Sequence, residues 1–403
     1  MKILIAKDEN SYVEEMDFEL VERKGVGHPD TMCDAIAECA SRNYTQYCIN
    51  KFGRPAHHWF DKVMLIGGEA NIDYGQGEVV KPYTIIFAGK VSYTVNNTII
   101  PVDDILYQSA EEVLSSVLTG FVADKHMIID NRLVDYQGSG RENSRYRPKD
   151  VANLPVLGDV TLASNDSNLL SAYAPLTTLE NLVLKVENFI NGEIFKSNNP
   201  DTGWDVKVFG SRKKEEYKLL VNMPFLAKDI FTLEQYYERK KDVIQDITNF
   251  IKENFDVKVD VSMNATDKNG RPYLVALGSV ADTGDVGVVG RGNRINGLIT
   301  PMRPMSIEAP AGKNPIDHTG KIYGVLAMEL AQEIYEYLQW PVTVHIYTEK
   351  ENRLDDPTEI MIKVSGIEID AIMQENIEQI ITNRIKNVGL ISQKIICQGV
   401  KMW

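Results

Sequence analysis

Glycine and basic residues are concentrated between Gly284 and Lys321, where the sequence reads GDVGVVGRGNRINGLITPMRPMSIEAPAGKNPIDHTGK. We call this stretch the Gly-rich segment. Glycine lets backbone N–H groups approach a ligand closely. The segment is net positive inside a chain of net charge −14, which indicates an anionic ligand. A surface loop whose arginines are merely solvated is the alternative. The charged residues of the segment are Arg291, Arg294, Arg303, Lys313 and Lys321, against Asp285, Glu308 and Asp317.

A predicted helix follows the Gly-rich segment directly, because apolar residues recur at helical spacing from Ile322 to Leu338. The end of the segment would then lie near a helix N-terminus, where free amides and the macrodipole favour phosphate. The known phosphate motifs fail here. A P-loop would need glycine at 307 and serine or threonine at 314, where Ile307 and Asn314 stand, and a dinucleotide fingerprint from Gly290 would need glycine at 295. Phosphate would therefore be bound by another scheme.

His28, Pro29 and Asp30 place an imidazole and a carboxylate at the start of a second predicted helix. Phosphate, or Mg²⁺ bound to phosphate, could meet both groups there. A capped helix with an acidic first turn is the alternative for this tripeptide alone. Glu69 follows paired glycines after a predicted strand, so its carboxylate either reaches a ligand or cation or belongs to a turn. His57 and His58 receive no role from the sequence.

Residues 134–171 are polar and irregular, and they carry Arg141, Arg145, Arg147 and Lys149. A loop of this length inside a compact enzyme is usually a lid or a binding loop, and a solvated linker is the alternative.

The remaining pattern predicts an α+β protein in which pairs of short strands alternate with helices about three times. Helices are predicted from Pro29 and from Lys321, and over 102–118, 177–190, 232–255 and 370–386. Strands are predicted over 62–66, 83–95, 126–130, 205–209, 217–223, 257–263, 273–278, 342–347 and 359–364. We expect one domain at 1–135, a mobile active-site loop at 136–170, and further domains at 171–280 and 281–403, with discontinuous domains as an open possibility.

The acidic balance, 57 Asp+Glu against 43 Lys+Arg, argues against general binding to nucleic acid or anionic membranes. No stretch approaches the ~20 apolar residues of a membrane span. The apolar run at the N-terminus is too short for the hydrophobic region of a signal peptide. We therefore expect a cytoplasmic protein. Its four cysteines have no zinc-type spacing and are expected to be reduced core residues.

A set of short motifs runs along nearly the whole chain; in order they are ERKGVGHPD, IGGEA, YQGS, YAPL, DVKVFG, VGRGNRINGLITPMRPMS and AGKNP. Together they resemble the motifs of S-adenosylmethionine synthetases (methionine adenosyltransferases), most closely the archaeal-type branch. The resemblance implies three similar α+β domains with pseudo-three-fold symmetry, whose small mixed sheets are covered by helices. It also implies a homodimer with active sites at the subunit interface, and Mg²⁺ and K⁺ as cofactors. The implied reaction joins the sulfur of L-methionine to C5′ of ATP and then hydrolyses the released triphosphate to phosphate and diphosphate.

The same resemblance assigns roles to residues at matching positions. His28, Arg291 and Lys313 would stabilise the departing triphosphate, Asp30 would bind Mg²⁺, and Glu69 would lie near K⁺. The residues implied to bind ATP or its phosphates are Asp205, Lys207, Gln137, Gly138, Ser139, Asp285, Arg294 and Lys321.

Methionine would contact Gln137 and Asp166, the ends of the mobile loop, and Glu78. The second metal ligand of the better-known bacterial and eukaryotic branch has no counterpart here, because Asp317 and Thr319 occupy that spacing after GKNP. Asn314, Arg294 and Lys321 are the candidates to compensate.

Two other functions stay open at the level of sequence. A catalytically inactive homologue would bind nucleotide and regulate a partner, whereas an ATP-dependent phosphotransferase or triphosphatase would use the same cationic loops. Product analysis with ATP and methionine separates all three.

Overall fold

The computed structural model describes residues 1–10, 12–136 and 145–403. The helices of this part of the chain are α1 (Pro29–Phe52), α2 (Val102–Val117), α3 (Ala123–His126), α4 (Thr178–Ile190), α5 (Glu193–Asn198), α6 (Leu233–Asn254), α7 (Thr319–Leu338), α8 (Ala371–Lys386) and α9 (Gly389–Cys397). In the described residues, no helix is long and apolar enough to cross a membrane.

The strands in the first half of the chain are β1 (Lys2–Asp8), β2 (Phe18–Lys24), β3 (His58–Ile66), β4 (Glu69–Asp73), β5 (Gln76–Lys81), β6 (Tyr83–Val91), β7 (Thr94–Val95), β8 (Thr98–Ile99), β9 (Met127–Val134) and β10 (Asn168–Ala174). Those in the second half are β11 (Lys207–Lys213), β12 (Glu216–Asn222), β13 (Phe225–Leu226), β14 (Val259–Met263), β15 (Leu274–Val275), β16 (Val286–Val288), β17 (Val342–Thr348) and β18 (Glu359–Ser365).

Three four-stranded sheets share one pairing pattern. Their strand orders are β16-β3-β6-β9, β14-β12-β11-β2 and β1-β18-β17-β10. Each has one parallel pair at an edge (β6 with β9, β12 with β14, β1 with β18), and its other neighbours are antiparallel. The repeated pattern confirms the predicted α+β class with small mixed sheets and three similar units.

Two long helices cover each sheet, because each presents an apolar stripe to one sheet face. α1 and α2 share a buried core with the sheet of β3 and β6, α4 and α6 with the sheet of β11 and β12, and α7 and α8 with the sheet of β17 and β18. Polar residues cap the start of two of these helices. Thr177 and Glu180 form a capping box at α4, and Asp370 caps α8.

Each sheet also takes an edge strand from another part of the chain. β2 precedes α1 but pairs with β11, β10 precedes α4 but pairs with β17, and β16 precedes α7 but pairs with β3. The sheets therefore cross the predicted boundaries at 135, 170 and 280, and we infer that the domains are discontinuous. Because of this exchange, the loop that joins each of these edge strands to its following helix lies where two neighbouring units meet.

The predicted helices and most predicted strands are confirmed within a few residues. The sequence analysis missed the edge strands β1, β2, β10 and β16, and the β4–β5 hairpin.

Candidate active site

The first turn of α1 is fixed by local sequence. His28 is the N-cap, its Nδ1 accepts a hydrogen bond from the Asp30 amide at 3.2 Å, and Pro29 supplies the first helical residue. The imidazole and the Asp30 carboxylate therefore face the same helix end.

Three acids spaced four residues apart on α1 hold the Gly-rich segment along the helix. Asp30 Oδ1 accepts from the Val288 amide and Asp34 Oδ1 from the Gly290 amide, each at 2.9 Å. Glu38 Oε2 accepts from the Gly312 amide at 3.0 Å. Residues four apart share a helix face, so one stripe of α1 fixes both ends of the segment.

Glycine at 287 is required for this packing. A Cβ there would lie 2.1 Å from the Pro29 carbonyl oxygen. The backbone of the segment therefore lies directly against the first turn of α1, close to His28.

Cations converge on His28. Burial lowers the pKa of His28 to about 3, Lys24, Lys207 and Arg291 act in the same direction, and Asp30 opposes them. Lys24 Nζ donates to Asp30 Oδ2 at 2.8 Å and to the Arg291 carbonyl at 2.9 Å. Burial raises the pKa of Asp30, but the hydrogen bonds from Lys24 and Val288 outweigh it, so the net shift is downward.

Arg291 is exposed, and its guanidinium has no hydrogen bond or ion pair among the described residues. Arg294 instead donates to the Gly290 and Gly292 carbonyls at 2.6 and 2.8 Å. Lys207 pairs with Glu22 at 3.1 Å. Arg291 is therefore the cation of this group best placed to accept an anionic ligand.

His28 should not titrate in the free protein between about pH 5 and about pH 8, because its pKa of about 3 lies below that range. We expect His28→Asn, which keeps a side-chain acceptor at the N-cap, to lower kcat/KM without changing the shape of its pH profile. Since kcat/KM reports groups of the free enzyme, initial rates across this range test the expectation. An inflection present in the native protein and lost in the variant would contradict it.

Lys313 and Lys321 lie beside a later turn of α1, at the level of Glu38. Eight residues of helix separate Glu38 from Asp30, a rise of ~12 Å. Lys313 is buried and pairs with Asp61 at 3.1 Å and Glu308 at 2.9 Å. Lys321 is fully buried, its Nζ lies 2.5 Å from Glu38 Oε2, and burial lowers its pKa. Within one chain, the structure therefore separates these two lysines from His28 and Arg291.

The turn that precedes Glu69 packs against the backbone of Asp285 beside the first sheet. Both carboxylates are exposed, and a Cβ on neighbouring Gly67 would lie 2.5 Å from the Asp285 carbonyl. Asp205 is buried nearby, where its Oδ2 accepts from the Val280 amide at 3.0 Å. Burial, with Asp285 and Asp282, raises the pKa of Asp205 to about 7.

Of the three predicted methionine contacts, Asp166 and Glu78 lie within the described residues. Asp166 is exposed, and its carbonyl accepts from Ser164 Oγ at 2.7 Å and Thr319 Oγ1 at 3.4 Å, beside the start of α7. Glu78 lies in β5 and pairs with Lys125 at 3.1 Å. Gln137, Gly138 and Ser139 lie outside the described residues, as does Arg141.

The described part of the predicted lid, 145–170, lies against the body of the protein. Arg145 donates to Asp317 at 3.0 Å, and Arg147 makes two hydrogen bonds of 2.6 Å to Asp135. Tyr146 is buried, with its ring centroid 6.4 Å from that of Trp59. The mobile loop predicted over 136–170 stays a prediction, and residues 137–144 of that range lie outside the described residues.

Sequence reasoning missed four residues that build the site. They are Lys24, Asp34, Glu38 and Asn293, whose side-chain amide exchanges hydrogen bonds of 2.9 and 2.7 Å with the Lys24 backbone. The four-residue spacing of Asp30, Asp34 and Glu38 was a visible signal. Its partner, the backbone of the Gly-rich segment, is more than 250 residues away in sequence and was not.

Comparisons with known proteins agree with the motif resemblance. The sequence profile of the family S-adenosylmethionine synthetase (AdoMet synthetase) matches residues 1–399. An S-adenosylmethionine synthase of Aeropyrum pernix is 35% identical over 396 residues, 95% of each chain. One from Pyrococcus furiosus is 38% identical over 355 residues, 87% of this chain and 86% of the relative. A solved structure of an unusual S-adenosylmethionine synthetase from Campylobacter jejuni matches 96% of this chain and all of the other, with a TM-score of 0.57 and 13% identity, which bears on the fold alone.

Proposed function

Because this chain belongs to the S-adenosylmethionine synthetase family, and so is a methionine adenosyltransferase, we propose that it joins L-methionine to ATP by attack of sulfur on C5′ and then hydrolyses the triphosphate. The observation that carries the proposal is the group of three cations around His28, inside a chain of net charge −14. Exposed Arg291 is free to receive the negative charge that develops on the departing triphosphate.

Displacement at C5′ has a neutral sulfur nucleophile and a highly charged leaving group. Catalysis therefore depends on positioning and on fixed positive charge more than on a general base. Neutral His28 supplies a ring N–H that donates to the leaving oxygen, while Arg291 and Lys207 hold the phosphates. Asp205, Asp285 and Arg294 shape the ATP side of the site. Lys313 and Lys321 reach phosphate only if their ion pairs open.

Mg²⁺ fits the donor set at Asp30. Mg²⁺ is usually held by one or two carboxylates plus substrate phosphates. Asp30 is one such carboxylate, and Asp34 Oδ2, four residues on, is buried without a hydrogen-bond partner among the described residues. The described part of the chain contains no cluster of three metal-binding side chains, so phosphate oxygens would complete the coordination of Mg²⁺. When bound, Mg²⁺ neutralises triphosphate charge. Glu69, exposed, is the carboxylate available for K⁺.

A homodimer is proposed from an exposed apolar row across the first sheet. Val286 pairs with Ile66, Ile66 with Thr84, and Thr84 with Ile128. The three apolar side chains of this row are 40–51% exposed. An apolar row of this kind marks an interaction surface. A second copy that covers it would place the Glu69 turn, at the end of β3, beside the interface.

Sedimentation at micromolar concentration should show a dimer, and Ile66→Glu together with Ile128→Glu should give a monomer with little activity. A native protein that sediments as a monomer would exclude an active site shared between two subunits. Serine at both positions is the milder control, since it removes apolar area without adding charge.

The function is tested by incubating the protein with ATP and L-methionine and measuring S-adenosylmethionine, phosphate and diphosphate. We expect one equivalent of each, and loss of turnover in excess chelator. Nucleotide binding without sulfonium product would favour the inactive regulatory homologue, and phosphate release independent of methionine would favour a triphosphatase. A cytoplasmic location and the absence of nucleic-acid partners stay predictions.

A further inference from the structure

Buried polar atoms without a partner are concentrated at one place. The described residues contain eleven such side-chain atoms, and six of them belong to five neighbouring residues. They are His57 Nδ1, Trp59 Nε1, both amide atoms of Asn165, Asn314 Nδ2 and Asp317 Oδ1. We call these five residues the Asp317 cluster. Asn165, Asn314 and Asp317 are 6%, 0% and 3% exposed. A buried polar atom without a hydrogen-bond partner is unfavourable, so this concentration of them indicates that the cluster binds an occupant.

Hydrogen bonds and ion pairs hold the cluster together. Asp317 Oδ2 lies 3.0 Å from Arg145 and 3.9 Å from His57 Nδ1, which leaves Oδ1 free. The backbone N–H of Asn165 donates to the Asp317 carbonyl at 3.2 Å. Asn314 Oδ1 accepts from the Asp317 amide at 3.1 Å, so its Nδ2 is the unused half of a turn-forming side chain. Trp59 forms a backbone bridge with Lys313.

The hydrogen-bonding capacity of the cluster is mixed. Trp59, Asn314 and Asn165 offer N–H donors, Asp317 and Asn165 offer oxygen acceptors, and neutral His57 can do either. A simple anion would need donors only, and a metal ion would need acceptors only. Water needs both. At ~3 hydrogen bonds for each buried water, six atoms correspond to about two molecules.

The cluster adjoins the α7 N-terminus, where the sequence predicts phosphate, so the terminal phosphate of triphosphate would lie at this end and His28 and Arg291 would hold the other end. Lys313 precedes Asn314, and the α7 N-terminus begins two residues after Asp317. A helix N-terminus favours phosphate. The unpartnered side chains beside it indicate that water is bound next to that phosphate. We propose that the Asp317 cluster holds the water that hydrolyses the triphosphate, with Asp317 as its orienting carboxylate. This inference rests on the proposed function.

In this step the water oxygen forms a bond to a terminal phosphorus of triphosphate, and the bond from that phosphorus to its bridging oxygen breaks. The electron pair of the broken bond leaves on diphosphate. The water proton passes to Asp317 and on to solvent. Trp59 donates to one lone pair of the attacking water oxygen, and the other lone pair forms the bond to phosphorus. Asn314 donates to the second water molecule, and Arg145 fixes the other oxygen of Asp317.

Two variants and a control test the proposal in a single-turnover experiment. The reaction with ATP and methionine is quenched, and S-adenosylmethionine, triphosphate and diphosphate are measured. Asp317→Asn should slow triphosphate hydrolysis about 10²-fold, and Trp59→Phe, which keeps the ring but removes its N–H, about 10-fold. Both should form S-adenosylmethionine within about threefold of the native rate, so that triphosphate accumulates. Trp340→Phe, at an exposed tryptophan, should change neither step.

Equal slowing of both steps would overturn the proposal and favour an amino-acid head group in the cluster. Unchanged hydrolysis in Trp59→Phe and Asp317→Asn would also overturn it. If Asp317→Asn fails to fold, as judged by its melting curve, the conservative Trp59→Phe carries the test alone. A native protein that forms no S-adenosylmethionine would instead refute the proposed function, which is read from a different product.

Discussion

Replacing Lys313 with alanine is expected to lower kcat by about 10²–10³-fold while the KM for methionine changes little. A cation directed at leaving-group charge acts mainly in the transition state, so its loss affects kcat first. Lys313 pairs with Asp61 and Glu308 in the substrate-free protein, so it reaches the triphosphate only after these ion pairs open. Steady-state kinetics with ATP and methionine varied separately measure the effect.

Lys62→Ala is the matched control. Lys62 also pairs with Asp61 but is exposed, so it tests whether loss of an Asp61 partner by itself matters. We expect kcat of this variant within about twofold of native, since surface ion pairs contribute little. If Lys313→Ala behaved like Lys62→Ala, Lys313 would have no role in catalysis.

Replacing Arg23 with methionine should destabilise the protein by ~3–5 kcal/mol, the usual cost of breaking a buried ion pair. Arg23 is 1% exposed. Its Nε lies 2.5 Å from Glu187 Oε2, and it also donates to the Gly297 carbonyl. The change leaves the Glu187 carboxylate buried without the Arg23 cation and removes a hydrogen bond to Gly297, in the middle of the Gly-rich segment. Urea unfolding measures the loss.

Removing both charges should restore much of the stability, because well-packed apolar residues often replace a buried pair without cost. The double variant Arg23→Met with Glu187→Leu provides this test. Arg353→Met breaks an exposed pair with Asp355 and should cost far less. A loss in Arg23→Met no larger than in Arg353→Met would show that the buried pair does not stabilise the fold.

The sequence predicted those elements whose signal is local. Apolar periodicity and capping residues are properties of neighbouring positions, so α2, α4, α6 and α8 were placed within one or two residues of their bounds. Although the edge strands β9 and β14 were predicted, β2, β10 and β16 were missed. Each of them pairs with a strand of another unit, and no local pattern reports that pairing.

The candidate site also has features that local sequence predicts and features that only tertiary contacts determine. The sequence by itself determined the family, the His28 cap at the start of α1, and a cationic Gly-rich segment, because residue type and short spacing suffice for these. Only the tertiary structure decided which cations are free: Arg291 is exposed, whereas Lys321 is buried against Glu38. Only the tertiary structure also brought Asp317, Asn165 and Trp59 together. Burial and pairing depend on residues far apart in the chain, and the energy of a buried charge is set by those neighbours rather than by its own sequence context.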